Sequence, residues 1–295
     1  MKTRTIETIA YGQQMDMGGF PIRQALPSSK ADMLDPFLLL HHANIKVAEN
    51  VDVKNAGVGP HPHRGFSPVT FIFKGGVHHR DSRGNSHIVY EGGTQWMNAG
   101  MGVIHSERPP VDIHELGGVQ ELIQLWINTP AANKMEVPAY IPVTKEDTPV
   151  VTSEDGLTSI QVVAGELNGV KGAIVPQTPI NMFTIHIKKG GSYFIPFAAS
   201  HNAFIYALEG NIKINEQDEL PAFYMASFHK DGEGVQITAT AESVLLMGTG
   251  EPLNEPVVSH GPFVMNNQTQ LLEAFRDYQM GKMLSLIHIS QGIVR

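Results

Sequence analysis

Short apolar runs separated by glycine turns constrain the fold of this chain more than any other feature. Residues 69–73, Val-Thr-Phe-Ile-Phe, are rich in the β-branched and aromatic side chains that favour strands. A turn at 74–76 follows, and the next apolar run, 87–90, ends at the glycines 92–93. Short strands and glycine turns at this rhythm predict small antiparallel barrels or sandwiches.

The same rhythm continues along the chain and predicts an all-β protein of two domains. A connector with four prolines runs from Pro130 to Pro149, and we place the domain boundary within it. The first predicted domain is 1–135, which carries the candidate metal site, and the second is 136–283. Further strands are predicted at 5–11, 37–41, 122–127, 160–164, 182–187, 192–196, 203–207, 211–214, 235–239 and 244–248. Apolar residues at helical spacing predict one C-terminal helix, 271–281. Residues 284–295 match nothing before them, and we interpret them as a non-native tail.

Two short polar clusters, 44 residues apart, carry the candidate chemistry. His61 and His63 form the first, and His105 and Glu107 form the second. Residues i and i+2 of a strand point to the same face, so each pair can aim at one point. If the two strands face each other across a barrel, the points coincide and suit a divalent metal. Taken singly, each pair also fits half-exposed polar residues of a surface strand.

Composition excludes several classes of function. The net charge is −8 and no basic stripe is visible, so direct binding to nucleic acid is not expected. Cysteine is absent, which excludes disulfides and thiolate ligands. The first residues do not read as a secretion signal, and no apolar run approaches the roughly 20 residues of a membrane span. We therefore expect a cytoplasmic monomer that does not bind membranes.

The C-terminal half reads as a weak repeat of the first half without its histidines. When Gly210 is aligned with Gly75, the positions of the first cluster fall on Pro196 and Ala198, neither of which binds metals. The sequence thus predicts a second domain that keeps the fold and lacks the site. His186, His201 and His229 stand alone and are interpreted as structural or surface residues.

Seven motifs in order give the chain a resemblance to the pirin family. They are 35–40 (Asp-Pro-Phe-Leu-Leu-Leu), 61–66 (His-Pro-His-Arg-Gly-Phe), 79–82 (His-Arg-Asp-Ser), 95–100 (Gln-Trp-Met-Asn-Ala-Gly), 105–107 (His-Ser-Glu), 125–128 (Leu-Trp-Ile-Asn) and 261–266 (Gly-Pro-Phe-Val-Met-Asn). The resemblance covers about 18–283. It implies a bicupin, with two antiparallel jelly-roll barrels facing each other. It also implies Fe(II) held in the N-terminal barrel by His61, His63, His105 and Glu107.

One position departs from the family pattern. The family commonly has glutamate after the His-Pro-His-Arg-Gly-Phe run, where this chain has Ser67. In many cupins a glutamate near this place completes the metal shell. In pirins the carboxylate comes from the second cluster, where Glu107 is present. The change therefore bears on the polarity of the pocket and on the range of substrates.

The resemblance implies an Fe(II)-dependent dioxygenase similar to quercetin 2,3-dioxygenase. A flavonol would lose the proton of its 3-hydroxyl to Glu107, and its ring would open with loss of carbon monoxide. Mn, Ni, Co or Cu could also occupy such a site, since affinity order does not select iron. Candidate substrate-binding residues are Arg64, Phe66, Phe73, Trp96 and Met97.

The alternative function is a regulator without catalysis. Some pirins resemble redox-sensitive proteins, in which the state of the iron changes the surface offered to a transcription factor or a metabolic enzyme. The acidic surface of this chain would suit a basic protein partner.

Overall fold

The protein is almost entirely β-structure, as the sequence predicts. The computed structural model describes residues 2–50, 52 and 56–286. Two α-helices interrupt the strands of this described chain. Neither is long and apolar enough to cross a membrane.

The described part of the first half of the chain contains twelve strands and one short helix, α1 (Val111–Leu116), which follows the tenth strand. They are β1 (Ile6–Tyr11), β2 (Gln13–Asp16), β3 (Pro21–Leu26), β4 (Phe37–Val47), β5 (Val58–His63), β6 (Phe66–Lys74), β7 (Gly76–Asp81), β8 (Ser86–Tyr90), β9 (Thr94–Asn98), β10 (Val103–Arg108), β11 (Gly118–Asn128) and β12 (Ala139–Val143).

The strands of the second half precede the longer helix, α2 (Gln268–Gln279). They are β13 (Val150–Thr152), β14 (Thr158–Ala164), β15 (Glu166–Leu167), β16 (Val170–Lys171), β17 (Ile180–Ile187), β18 (Ser192–Pro196), β19 (Asn202–Glu209), β20 (Asn211–Ile214), β21 (Asp218–Pro221), β22 (Tyr224–Phe228), β23 (Gly234–Ala239), β24 (Ser243–Gly250), β25 (Val258–His260) and β26 (Phe263–Met265).

Each of the two compact units is built from two separate stretches of chain. One unit combines the described parts of 1–42 with 146–253, and the other combines those of 43–145 with 254–295. The sequence prediction of 1–135 and 136–283 differs from this division. The difference arises because β1 pairs with β22 of the later chain, and because α2 packs on β26 within the unit that contains β5–β11.

The unit formed by 1–42 and 146–253 is a sandwich with an apolar interior. Its larger sheet has the order β1-β22-β19-β24-β17-β14-β13, and its smaller sheet has the order β18-β23-β20-β21. The two inner faces contribute one buried core, in which branched aliphatic residues alternate along the strands. Members from both sheets include Val162, Ile195, Ile212, Val235 and Leu245.

The other unit repeats this plan with a polar interior. Strands β12-β9-β6-β11-β4 follow one another in its larger sheet, and its smaller sheet has the order β5-β10-β7-β8. On β6, Thr70 lies opposite Gln95 of β9 and Gln124 of β11, so these three side chains share one face. Hydrogen bonds from Thr70 and Gln124 reach Glu107 on the smaller sheet, so this face points into the unit.

Two local features differ from the sequence prediction. The helix predicted at 271–281 begins at Gln268 and ends at Gln279, and Gly281 follows with φ of 72°. The proline-rich connector contains strand β12, which pairs antiparallel with β9 at the edge of its sheet, where proline is tolerated. Of the predicted non-native tail, residues 287–295 lie outside the described residues.

Candidate metal centre

The histidine pairs lie on two neighbouring strands of the smaller sheet. β5 carries His61 and His63, β10 carries His105, and the two strands pair antiparallel with His105 directly opposite His61. The two strands are therefore neighbours in one sheet and do not face each other across a barrel. Adjacent pairing brings the three imidazoles together more closely, because directly opposite residues of an antiparallel pair lie only about 5 Å apart.

The three imidazoles converge on one point. The ring centroids are 4.3 Å apart for His61 and His105, 4.7 Å for His61 and His63, and 4.9 Å for His63 and His105. One nitrogen from each ring lies within 4.8 Å of the others. The Nε2 atoms of His63 and His105 are buried without a hydrogen-bond partner among the described residues. Buried polar atoms are rarely left unpaired, so this donor set fits a bound metal ion.

Backbone carbonyls fix which nitrogen of the first pair is available. Nδ1 of His61 lies 2.8 Å from the Gly59 carbonyl oxygen, and Nδ1 of His63 lies 3.4 Å from that of Pro262. A carbonyl only accepts, so each Nδ1 carries the hydrogen and each Nε2 keeps its lone pair. Such contacts orient metal-binding imidazoles.

A carboxylate fixes the third imidazole through an intervening histidine. Nε2 of His79 donates to the Asp81 carboxylate at 3.0 Å, which leaves Nδ1 of a neutral His79 as an acceptor. Nδ1 of His105 lies 3.4 Å from that atom and donates to it. This chain of contacts leaves the lone pair of His105 on Nε2, the nitrogen that faces the other two imidazoles.

Burial keeps the inner imidazoles neutral. Desolvation lowers the pKa of both His63 and His105 well below its ordinary value, and the proximity of His61 lowers each further. A neutral imidazole retains the lone pair that a metal requires. The electrostatics of the site therefore favour ligation at neutral pH.

Glu107 is held beside this cluster by the facing sheet. The Thr70 hydroxyl donates to Oε1 at 2.7 Å, and the Gln124 amide donates to Oε2 at 2.8 Å. Each carboxylate oxygen keeps a second lone pair, because a carboxylate offers about four acceptor positions. Glu107 lies two residues after His105 on β10, and the pairing of β10 with β5 shifts register between them. The ligand atoms that lie within 4.8 Å of one another come from the three histidines, and the Glu107 carboxylate is not among them.

Aromatic and sulfur-containing side chains pack near the imidazoles. Phe66 and Trp126 are in contact with each other, and their rings lie 5.1 Å and 5.5 Å from His63. Met97 packs with Ala99, Val103 and the ring of Tyr140. Phe66 and Met97 were candidates from the sequence, and the structure places them on the inner face with Thr70.

Two other candidates lie away from the imidazoles. Trp96 sits opposite Val69, on the reverse face of its sheet, and its Nε1 donates to Asn98 at 3.0 Å. Phe73 lies where β6 shifts register against β11, three residues beyond Thr70. Ser67, which stands where the family commonly has glutamate, also donates to Asn98, at 2.8 Å. This substitution therefore falls outside the inner face that carries Phe66 and Thr70.

Comparison with known proteins agrees with this geometry. A family model described as Pirin matches residues 19–127, and a second, described as Pirin C-terminal cupin domain, matches residues 182–284. A pirin-like protein of Solanum lycopersicum is 34% identical over 282 residues, covering 94% of this chain and 91% of its own. This chain belongs to the pirin family. The resemblance inferred from the seven motifs is thus confirmed.

Solved structures extend the comparison to the whole fold. A quercetin 2,3-dioxygenase from Acinetobacter baumannii matches this pirin with a TM-score of 0.90 at 32% identity, covering 97% of this chain and 100% of its own. A bacterial pirin from Escherichia coli, solved with nickel(II), matches with a TM-score of 0.65 at 20% identity, covering 83% and 99%. The first likeness supports the bicupin fold at high coverage, and the second shows the fold alone.

The Arg-Gly pair of the pirin motif joins the site to the C-terminal segment. Arg64 donates from Nε to the Met101 carbonyl at 2.6 Å and from Nη1 to Asp277 of α2 at 3.1 Å, so its head group is engaged away from the imidazoles. Gly65 has φ of 84°, and a Cβ there would collide with the Val264 carbonyl. The motif therefore requires glycine for close packing of two chain segments.

Several residues of the site were missed by sequence reasoning. Thr70, Gln124 and Tyr140 come from the larger sheet, and His79 and Asp81 come from β7. Polar residues on inward positions of otherwise apolar strands were the available signal for Thr70 and Gln124. His79 and Asp81 stood in one of the family motifs, but their contact with His105 depends on strand pairing that no local pattern shows.

The second unit keeps the pirin fold with an apolar interior where the first has the candidate ligands. Pro196 ends β18, and no group of converging ligand side chains is found in the described part of 146–253. Of the lone histidines, His186 and His229 are exposed. His201 is buried and its Nδ1 contacts the Thr249 hydroxyl at 3.0 Å.

Proposed function

We propose that this pirin is an Fe(II)-dependent dioxygenase that cleaves a flavonol such as quercetin. His61, His63, His105 and Glu107 would hold the metal, as the family resemblance implies. The observation that carries the proposal is the convergence of three imidazoles, with two buried Nε2 atoms lacking partners among the described residues. The match to a quercetin 2,3-dioxygenase at 32% identity supports the substrate class.

Different residues of this chain would take part in proton transfer and in substrate binding. Bound iron would supply redox chemistry with oxygen at open coordination positions. Glu107 accepts the proton of the flavonol 3-hydroxyl, and Thr70 and Gln124 hold its carboxylate in the orientation for that transfer. Phe66 and Trp126 give the flavonol a flat apolar wall beside His63.

Oxygen consumption by anaerobically Fe(II)-loaded protein with quercetin tests this proposal. Glu107→Gln removes the negative charge with little change of shape. We expect turnover to fall at least roughly a hundredfold, which is the rate loss expected when a general base is removed. Glu219→Gln, at an exposed position of β21, is the matched control and should keep the wild-type rate. Iron content is measured for all three proteins.

Two results would contradict the proposal. Wild-type turnover in Glu107→Gln at equal iron content would remove the role given to this carboxylate. Stoichiometric iron in the wild type without any turnover would argue against the enzyme. That second result would favour the regulator, for which binding of a protein partner by the Fe(II) and Fe(III) forms is the next measurement.

A further inference from the structure

Three further polar atoms inside the metal-bearing unit are buried without a partner among the described residues. One is Asn128 Nδ2, and the other two are Tyr140 Oη and Gln95 Oε1, which lie on the paired strands β12 and β9. Gln95 is only 3% exposed, and its Nε2 donates to the Val77 carbonyl at 2.9 Å, which fixes Oε1 as the unpaired end of the amide. An unpaired buried donor or acceptor is costly, so such atoms mark places where a ligand or water completes the bonding.

Both atoms lie on the inner face of the larger sheet. Tyr140 of β12 is opposite Met97 of β9, and Gln95 is two residues earlier on β9, so their side chains are diagonal neighbours on one face. On its other side Gln95 lies opposite Thr70, whose hydroxyl binds Glu107. Gln95 therefore flanks the carboxylate of the metal centre.

Tyr140 lies against the histidines of the smaller sheet. Its ring stacks on His79 with centroids 3.8 Å apart and an angle of 4°, and His79 in turn contacts His105. Burial raises the pKa of the Tyr140 phenol, and the negative charges of Glu107 and Asp81 raise it further. The hydroxyl is thus a neutral group that can both donate and accept.

We propose that Tyr140 and Gln95 form a recognition pair for a phenolic hydroxyl of the substrate other than the hydroxyl that meets the metal. A phenolic hydroxyl would donate its hydrogen to Gln95 Oε1 and accept the hydrogen of Tyr140, which satisfies both unpaired atoms at once. This inference rests on the proposed function and narrows its substrate class to polyhydroxylated aromatic compounds. A site that pairs buried polar groups with a substrate hydroxyl discriminates strongly against analogues that lack it.

Oxygen-free binding titrations of the metal-loaded protein test the pair. The probes are quercetin and 3-hydroxyflavone, which keeps the 3-hydroxyl and the neighbouring carbonyl but lacks the other hydroxyls. We expect the wild type to prefer quercetin, and Tyr140→Phe to reduce that preference roughly tenfold while leaving the affinity for 3-hydroxyflavone and the metal content unchanged. Tyr90→Phe is the matched control, because the Tyr90 hydroxyl is exposed and bound to Asp112.

Thermal unfolding of the same variants separates recognition from a structural role. Removing an unpaired hydroxyl should leave the Tm of Tyr140→Phe unchanged or raise it, whereas a hydroxyl needed for folding would lower it. The proposal is overturned if Tyr140→Phe keeps the wild-type preference for quercetin, with or without a loss of Tm. If neither flavonol binds the metal-loaded wild type, the proposed function itself fails. That result is distinct from binding of both flavonols with an unchanged preference in Tyr140→Phe, which overturns only the recognition pair.

Discussion

Single nitrogen atoms decide what the buried histidines of this protein can do. Nδ1 of His61 and Nδ1 of His63 each donate a hydrogen bond to a backbone carbonyl, and Nδ1 of His105 donates to the neighbouring imidazole of His79. Burial then lowers the pKa of the two inner rings. The candidate positions could be picked out from the sequence, because their spacing of two residues is local. Their supporting partners could not, because these come from distant parts of the chain.

His41 on β4 shows the same effect of burial away from the metal centre. Its Nε2 contacts the Gln24 amide oxygen at 3.0 Å, and desolvation lowers its pKa to about 4. The unfolded chain, with an ordinary histidine pKa near 6.5, binds more protons between these values. Stability contributed by neutral His41 is therefore complete above about pH 6.5 and is lost as the pH falls toward 4.

Replacement of His41 should remove part of this acid sensitivity. We expect His41→Gln to reduce the loss of unfolding free energy between pH 7.5 and 4.5 by about 2 kcal/mol relative to the wild type. Urea unfolding at the two pH values measures the difference. The exposed His229 provides the control variant His229→Gln, which should lose as much stability as the wild type. Equal losses in His41→Gln and the wild type would contradict the prediction.

Among the elements, most strands could be predicted from the sequence, whereas the edge strand β12 could not. Alternation and glycine punctuation are local signals, so predictions such as 192–196 and 211–214 coincide with β18 and β20. Strand β12 was hidden, because Pro138 and Pro142 suggest a connector and only an edge position accommodates them. Tyr140 was missed together with this strand.

Helix α2 depends on its cap. The Asn267 side chain accepts from the backbone nitrogen of Gln270 at 2.9 Å, a contact that satisfies one of the unpaired donors of the first turn. Asn267→Ala should lower the unfolding free energy by about 1 kcal/mol, whereas Asn267→Asp retains an acceptor and should cost much less. Urea denaturation of the three proteins compares them, and equal losses in both variants would exclude a capping role.

For the whole molecule, metal binding should stabilise one unit selectively. Both tryptophans, Trp96 and Trp126, lie in the unit that carries the imidazoles, so tryptophan fluorescence reports on that unit alone. A metal at a hundred times its Kd adds about 2.7 kcal/mol to the stability of the state that binds it. The fluorescence transition should therefore move up by several degrees when the metal is added.

His63→Ala should abolish this shift while retaining a cooperative fluorescence transition. Circular dichroism of the same samples follows the strands of both units and shows whether the fold is kept. His186→Ala is the control, since that side chain is exposed on the other unit. A metal-dependent shift of wild-type size in His63→Ala would remove this histidine from the ligand set.

The interleaving of the two units has a consequence for synthesis on the ribosome. The strands of 43–145 emerge early, yet Pro262, which receives the Nδ1 hydrogen of His63, is made more than a hundred residues later. Domains generally fold as they leave the ribosome, beginning with the N-terminal one. Here the first cupin is completed last, so we expect a metal to bind its imidazoles only near the end of translation and not in its middle.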